Sequence, residues 1–205
     1  MINIVVEWIS FLDDRSREDF YKKEVKILND FYNKIGINFD IHKYYHSIIA
    51  YNMEILEKNS KIEKINDYKQ LKLEFLKLLK TKKIISIISE EKIIKIFEFN
   101  EMSLCGIPEK GFSLIKVNCS IPSLQNMIIL SSLRTEYTLR HEVAHVLLNQ
   151  LHDLKKQVPP FNILSTTATY ENFLITNSFL PQYPNHSFQE QRMVRTAQNM
   201  CKTEK

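Results

Sequence analysis

Three of the six histidines in this chain fall in one stretch, TEYTLRHEVAHVLLNQLHDL, at positions 135–154. His141 and His145 are four residues apart, so on a helix their side chains lie one above the other on the same face. Such a pair can direct two imidazole nitrogens at one zinc ion, each at roughly 2.0–2.1 Å. Glu142 projects about 100° around the helix from His141, where it can reach a water molecule beside the metal and act as a general base. The spacing therefore predicts a zinc site suited to hydrolytic chemistry.

A catalytic zinc ion needs a third protein ligand and an open fourth position. His152 is the nearest candidate, but it follows His145 by seven residues and cannot share the same straight helix face. Asn149 lies between them, and after Gly, Asn is the residue that most readily adopts the left-handed backbone conformation that ends helices. We therefore expect the helix to end at Asn149 and the following turn to present His152 as the third ligand.

Apolar patterns around this motif predict an α+β fold for one domain over 1–205, since no repeat or linker divides the chain. Residues 2–11 and 37–45 favour strands, because they are rich in β-branched and aromatic types. Apolar residues at helical spacing predict a helix between them that ends at Gly36. The other predicted elements are a Lys- and Glu-rich helical insertion at 47–91, strands at 92–100, 112–117 and 126–132, a loop at 102–111, the motif helix at 133–149 and a C-terminal helix at 188–200.

Composition narrows the class of partner. The chain has 205 residues, of which 44% are hydrophobic and 25% charged, and its net charge is +4. A charge this mild and evenly spread does not favour nucleic acid. No stretch approaches the ~20 apolar residues of a membrane-spanning helix, and the start of the chain lacks the basic and apolar regions of a secretory signal. We expect a monomer that binds neither nucleic acid nor membrane, and that is cytoplasmic, or exported without a cleaved signal, or already rid of one.

The cysteines Cys105, Cys119 and Cys201 are an odd number without the spacing of a metal cluster. At most one disulfide can form, with Cys105 and Cys119 the better-placed pair, and free buried thiols are the favoured expectation.

The segment HEVAHVLLNQLHD resembles the zinc motif of the metzincin endopeptidases, His-Glu-x-x-His-x-x-Gly-x-x-His, which an Asp often follows. Other segments agree in order with the adamalysin-like and matrixin-like catalytic domains of that family. The resemblance implies a twisted mixed sheet with an edge strand over the cleft, an active-site helix, a Met-turn-like loop and a closing C-terminal helix. It also implies a Zn²⁺-dependent endopeptidase that acts on protein or peptide substrates, with Glu142 as the general base and His141, His145 and His152 as the metal ligands.

Two further segments gain roles from this resemblance. CGIPEKGFSLIKVNCS lies where such enzymes carry the glycine-led edge strand, which implies that extended substrate binds along Phe112, Ser113, Leu114 and Ile115 through backbone hydrogen bonds. FNILSTT lies where the family has its Met-turn, so residues 162–166 are the Met-turn-like segment, with Leu164 in the place of Met. Leu has a similar volume and should serve as the hydrophobic floor under the zinc.

The sequence departs from the family pattern around the third ligand. Asn149 replaces the family Gly, and one extra residue lies between His145 and that turn, so His152 arrives one position late. The CGIPE segment is similar to the cysteine switch of matrixin propeptides, but it lies inside the domain, and we interpret it as a loop.

Three alternatives remain open. In gluzincins a downstream helix supplies a Glu ligand, for which Glu171 and Glu190 are the candidates. In peptide deformylases a Cys serves, for which Cys119 could stand, although the glycine-rich motif of that family is missing. A non-catalytic metal-binding regulatory protein is the third alternative, and the intact Glu142 argues against it because such a protein needs no base.

Overall fold

The described part of the chain combines two mixed β-sheets with three α-helices. A computed structural model describes residues 1–12, 18–46, 53–58, 61–65, 93–119, 125–151 and 184–201. The α+β class predicted from the sequence is confirmed. The strands are β1 Ile2–Phe11, β2 Ile37–His46, β3 Met53–Lys58, β4 Lys61–Ile65, β5 Ile94–Phe99, β6 Met102–Leu104, β7 Ile107–Pro108, β8 Gly111–Leu114 and β9 Met127–Ser131, and the helices are α1 Glu18–Tyr32, α2 Thr138–Leu148 and α3 Pro184–Cys201.

The larger sheet has the strand order β2-β1-β5-β9-β8. Its first four strands are parallel, and β8 pairs antiparallel with β9 at the edge. All six residues of β5 are buried, as expected for a parallel strand covered on both faces. Side chains from β1, β5, β9 and all three helices share one apolar core, so burial of apolar surface holds α2 against the sheet.

The helical segment that begins with α1 stops at Gly36 as the sequence predicts, although α1 itself ends at Tyr32. A short 3₁₀ turn, Asn33–Ile35, follows it, and Gly36 then takes a left-handed φ of 79° that glycine adopts without steric cost. The side chain of Asn29 accepts a hydrogen bond from the N–H of Phe39 and donates one to its carbonyl, at 2.8 and 3.1 Å. These bonds fix α1 beside β2.

A buried ionic cluster ties the segment before α2 to the rest of the fold. The Arg134 guanidinium donates to the Glu24 carboxylate from Nε at 2.9 Å and from Nη2 at 2.8 Å, and it also forms an ion pair with Glu98. All three side chains are buried, so each depends on the others to offset the loss of hydration. The Tyr32 hydroxyl donates to the carbonyl of Arg140, which lies in the first turn of α2, at 3.0 Å. Both contacts link α1 to the region of the histidine motif.

The helical insertion predicted at 47–91 is wrong over two segments, because 53–58 and 61–65 form the strands β3 and β4. They pair antiparallel, and β3 also pairs parallel with β6 in a second sheet of order β4-β3-β6-β7. Ile55 is fully buried there. Its burial and the pairing with β6 outweigh the helix propensity of the neighbouring Lys and Glu residues. Residues 66–92 lie outside the described ranges.

The loop predicted at 102–111 is instead a short hairpin of β6 and β7 that leads into β8. Cys105 and Gly106, at φ values of 50° and 80°, form its two-residue turn, where two positive φ angles match the twist of a hairpin. Cys105, Cys119 and Cys201 form no disulfide within the described residues, and the expectation of buried thiols holds for Cys119 alone.

The sequence predicts no membrane-spanning helix, and the helices of the described ranges can be compared with this prediction. None of them has the length and apolar run needed to cross a membrane.

Candidate active site

The histidine motif lies on α2, which spans Thr138–Leu148 and not the predicted 133–149. The helix begins later because Arg134 is held in the buried ionic cluster and the N–H of Thr135 donates to the Thr138 hydroxyl at 3.1 Å. One face of the helix is buried in the apolar core, and it consists of Leu139, Val143, Val146 and Leu147. The opposite face carries His141, which is partly exposed.

Asn149 ends the helix as the sequence predicts. Its φ and ψ of 47° and 50° lie in the left-handed region, and its N–H donates to the carbonyl of Val146 at 3.3 Å. The N–H of Gln150 reaches back to the carbonyl of His145 at 3.3 Å. These bonds satisfy carbonyl groups that the last turn of a helix otherwise leaves unpaired. The expectation that the helix ends at Asn149 in the left-handed conformation is confirmed.

Substitutions at Asn149 should separate backbone conformation from side-chain chemistry. Asn149→Gly should leave stability and zinc affinity near those of the original protein, because glycine adopts positive φ freely. Asn149→Val should lower the free energy of unfolding by about 1–2 kcal/mol, because the branched Cβ of valine crowds the backbone at positive φ and valine lacks the polar side chain by which Asn tolerates that region. Chemical denaturation and zinc titration of both variants test this, and equal stability of the two would contradict it.

The two histidine rings meet at their Nε2 atoms. These nitrogens are 3.1 Å apart, and the ring planes are nearly perpendicular, at 87°. The Nδ1 of His145 lies 2.6 Å from the carbonyl oxygen of Gln150. A carbonyl can only accept, so Nδ1 carries the proton and donates it, which makes Nε2 of the neutral His145 ring an acceptor. Such an outer hydrogen bond is what orients a metal-binding imidazole.

The geometry of the pair fits a zinc ion. Two nitrogens that bind a tetrahedral zinc at roughly 2.0–2.1 Å each lie about 3.3 Å from one another, close to the 3.1 Å observed. The same separation also suits a direct hydrogen bond in which His141 Nε2 donates to His145 Nε2. The pair can therefore hold a metal, and without one it is satisfied internally.

The Glu142 carboxyl is buried beneath β8. The Ser113 hydroxyl lies 2.6 Å from its Oε2 and 2.8 Å from its backbone carbonyl. Burial raises the pKa of Glu142 to about 7, the Ser113 hydrogen bond opposes this rise, and the negative charge of Glu109 adds to it. A carboxyl with a pKa near neutrality is suited to take up and return a proton at physiological pH.

Gly111 allows β8 to lie directly on α2. A Cβ atom at this position would come within 2.5 Å of Thr138 Cγ2 and 3.0 Å of Glu142 Cγ, closer than side-chain atoms can pack. Glycine is required here by close approach of the two elements, not by its backbone angles. The sequence interpretation did not include Gly111 in the site, although the glycine at the head of the expected edge strand was the available signal.

The four residues expected to bind substrate lie at the sheet edge, but their side chains are mostly turned inward. Leu114 and Ile115 are buried among apolar side chains, Ser113 contacts Glu142, and Phe112 is half-buried. An extended substrate at this edge can therefore be recognised through the backbone of β8. The role of the Ser113 side chain as a partner of the base was not foreseen from the sequence.

Ser113→Ala should reduce hydrolysis about tenfold and move the acidic limb of the pH–rate profile to higher pH. The hydroxyl stabilises the charged carboxylate, so its removal raises the pKa of Glu142 further and more of the base is protonated at neutral pH. Ser113→Thr, which keeps the hydroxyl, should restore the profile. An unchanged acidic limb in Ser113→Ala would show that the hydroxyl does not act through Glu142.

Of the four candidates for a third zinc ligand, the structure describes only two. His152 and Glu171 lie outside the described residues, as does Leu164 of the Met-turn-like segment. Cys119 is buried and Glu190 lies half-buried on α3. Within the ranges that the structure describes, no three His, Cys, Asp or Glu side chains come together to hold a metal. Neither Cys119 nor Glu190 therefore joins the histidine pair.

Comparison of the sequence with protein-family models and with curated proteins identifies no relative. No protein-family model matches the chain, and no curated protein matches it either. The features that bear on function are therefore the histidine pair, the buried carboxyl of Glu142 and the strand β8 that covers this carboxyl.

Proposed function

We propose that this chain is a zinc-dependent endopeptidase that hydrolyses peptide bonds with Glu142 as the general base. The observation that carries the proposal is the meeting of the His141 and His145 Nε2 atoms, 3.1 Å apart, on a helix that also carries a buried carboxyl of raised pKa. His145 is oriented by a backbone carbonyl, as a metal ligand commonly is.

The position of β8 supports a peptide as the substrate. This strand is the antiparallel edge of an otherwise parallel sheet and lies against the helix that carries the base. An exposed edge can bind an extended peptide as an additional strand. The arrangement agrees with the metzincin-like fold that the zinc motif implies, and metzincin-like is the family assignment we propose.

Each residue of the site has a defined task in this mechanism. His141 and His145 would hold the zinc ion, and the bound ion would supply Lewis-acid polarisation of the scissile carbonyl and a lowered pKa of the attacking water. Glu142 takes the proton of that water and delivers it to the leaving amine. Ser113 holds the carboxylate in place through the 2.6 Å contact, and burial beneath β8 limits its contact with bulk water.

The third ligand is expected to be His152. His152→Ala should weaken zinc binding by more than about 100-fold, since loss of a ligand should exceed the 10–100-fold cost of changing an outer hydrogen bond. Glu190→Ala and Cys119→Ala should bind zinc as tightly as the original protein, because neither lies with the histidine pair. Competition with a zinc-sensitive dye measures these affinities. Weakened binding in Glu171→Ala with normal binding in His152→Ala would favour the gluzincin arrangement.

Digestion of an unbiased peptide library tests the function directly. The protein reconstituted with zinc should cleave internal peptide bonds, lose this activity with a chelator and regain it when zinc is restored. Cleavage that persists in the chelated protein would refute a metal-dependent mechanism, and a fully zinc-loaded protein that cleaves nothing in the library would refute the peptidase assignment.

A further inference from the structure

One backbone edge of β8 faces away from the sheet. The carbonyl of Lys110 accepts a hydrogen bond from the Ser131 N–H of β9 at 3.0 Å, and the next residue, Gly111, pairs with Leu130. Along an antiparallel strand, residues alternate between bonding to the partner strand and pointing away from it. The backbone groups of Gly111, Ser113 and Ile115 therefore point outward, toward the position that an added strand would take.

The side-chain amide of Asn118 covers the C-terminal half of this edge. Its Oδ1 accepts from the N–H of Ile115 at 2.8 Å, and its Nδ2 donates to the carbonyl of Ser113 at 3.0 Å. Asn118 is buried, and the turn that carries it is closed by bonds from the N–H groups of Asn118 and Cys119 to the carbonyl of Ile115, at 3.1 and 2.9 Å. One amide thus takes both bonds that an added strand would need at this point.

The uncovered part of the edge is short and lies beside the base. It consists of the N–H and carbonyl of Gly111 and the N–H of Ser113, which the β8–β9 register turns away from β9 and which are not among the turn and loop hydrogen bonds of the described ranges. Glu142 lies next to these same residues, with Oε2 2.6 Å from the Ser113 hydroxyl. A peptide that pairs with this part of the edge lies beside the Glu142 carboxyl. Toward the C-terminal end of β8, Asn118 blocks further pairing directly after it.

We propose that Asn118 ends the peptide-binding edge, so that the main chain of only about two substrate residues is recognised on its side of the scissile bond. This inference rests on the proposed function. A strand added antiparallel to β8, which is the more stable pairing, runs with its N-terminal half toward Asn118. Substrate residues beyond these two gain no backbone hydrogen bond from β8, so a peptide with two residues before the cleaved bond should be cleaved as well as a longer one.

A nested series of peptides tests this length dependence. Starting from a peptide cleaved by the zinc-loaded protein, residues are added one at a time before or after the scissile bond. For additions before the bond, kcat/KM should rise over about two residues and then stay constant within twofold, since further residues find no backbone partner. N-methylation of substrate backbone nitrogens beyond those two residues should likewise change kcat/KM less than about twofold. A continued rise over four or more residues would overturn the proposal.

Removing the amide should lengthen the edge. In Asn118→Ala the Ser113 carbonyl and the Ile115 N–H become available, so the third and fourth added residues should raise kcat/KM by roughly threefold to tenfold. Gln125→Ala is the matched control, because its side-chain amide donates to Cys119 and does not touch β8. It should keep the original length dependence. If Asn118→Ala does not fold, the N-methylation series on the original protein decides the question.

Binding separates this inference from the proposed function. The same peptides are titrated against Glu142→Gln, and their affinities should show the same limit at two residues. If nothing is cleaved but binding shows the limit, the peptidase assignment fails and the edge assignment stands. If peptides are cleaved and affinity rises with every added residue, the edge assignment fails alone, and if no peptide binds, both are wrong.

Discussion

Glu142→Gln is expected to lose peptide hydrolysis by at least about 10²–10⁴-fold while it keeps one zinc ion, because Gln retains the shape of Glu but cannot take the proton of the attacking water. The Ser113 hydroxyl can still donate to the amide oxygen at this position, so the packing of β8 on the helix should not change. Turnover of the best library peptide, measured beside zinc content, tests this. Activity within tenfold of the original protein would place the base elsewhere.

The same variant should not be less stable. Burial raises the pKa of Glu142 to about 7, so the folded metal-free protein binds this proton more tightly than the unfolded chain. Stability contributed by the protonated form is therefore lost as pH rises from about 4.5 through 7. Gln carries no charge, so metal-free Glu142→Gln should resist denaturant at pH 8 at least as well as the original protein. Glu101→Gln, the same change at an exposed carboxyl, should alter neither turnover nor stability.

His141→Ala and His145→Ala should each reduce bound zinc from about one equivalent to almost none, since a catalytic site relies on three protein ligands. The two variants should differ in stability. His145→Ala removes the partner of the Gln150 carbonyl and should cost about 1 kcal/mol more than His141→Ala. Metal analysis after gel filtration, with denaturation of the metal-free proteins, measures both effects. His42→Ala, on β2, is the control that should retain zinc.

One result would exclude a metal site at the histidine pair, whether catalytic or regulatory. If the folded protein stays metal-free in excess zinc, the His141–His145 contact is the direct hydrogen bond that its 3.1 Å separation also permits. The two rings would then be a structural pair, and the raised pKa of Glu142, caused by burial and by the charge of Glu109, would serve no catalytic role.

Sequence patterns correctly predicted the elements whose conformation is determined by residues close to one another in the sequence. The strand at 2–11 follows from alternation, and the stop of the first helical segment at Gly36 follows from glycine chemistry. The strands β3 and β4 were missed. They pair with each other, and β3 also pairs with β6, which begins at 102 whereas β3 begins at 53. Lys- and Glu-rich segments have local helix propensity, and this pairing outweighs it.

The candidate site divides in the same way. His141, Glu142 and His145 share one helix, so their spacing alone predicted that they act together, and Asn149 was predicted from its type. The contacts of Glu142 with Ser113 and Gly111 cross from a helix to a strand. No spacing rule links residues 29 positions apart, so the positioning of the base became visible only in the folded chain.

The buried ionic cluster has a consequence for how the chain folds. Arg134 and Glu24 are 110 residues apart, and Tyr32 and Arg140 are 108 apart, so the segment that carries the histidines is held by elements made far earlier in synthesis. Contacts of such long sequence separation close large loops and form slowly. An emerging chain that already contains the whole histidine motif gains these contacts only when the motif docks on the first strand–helix unit. A fragment that lacks residues 1–36 should accordingly leave the ribosome without a natively folded α2, even though it contains all the histidines of the motif.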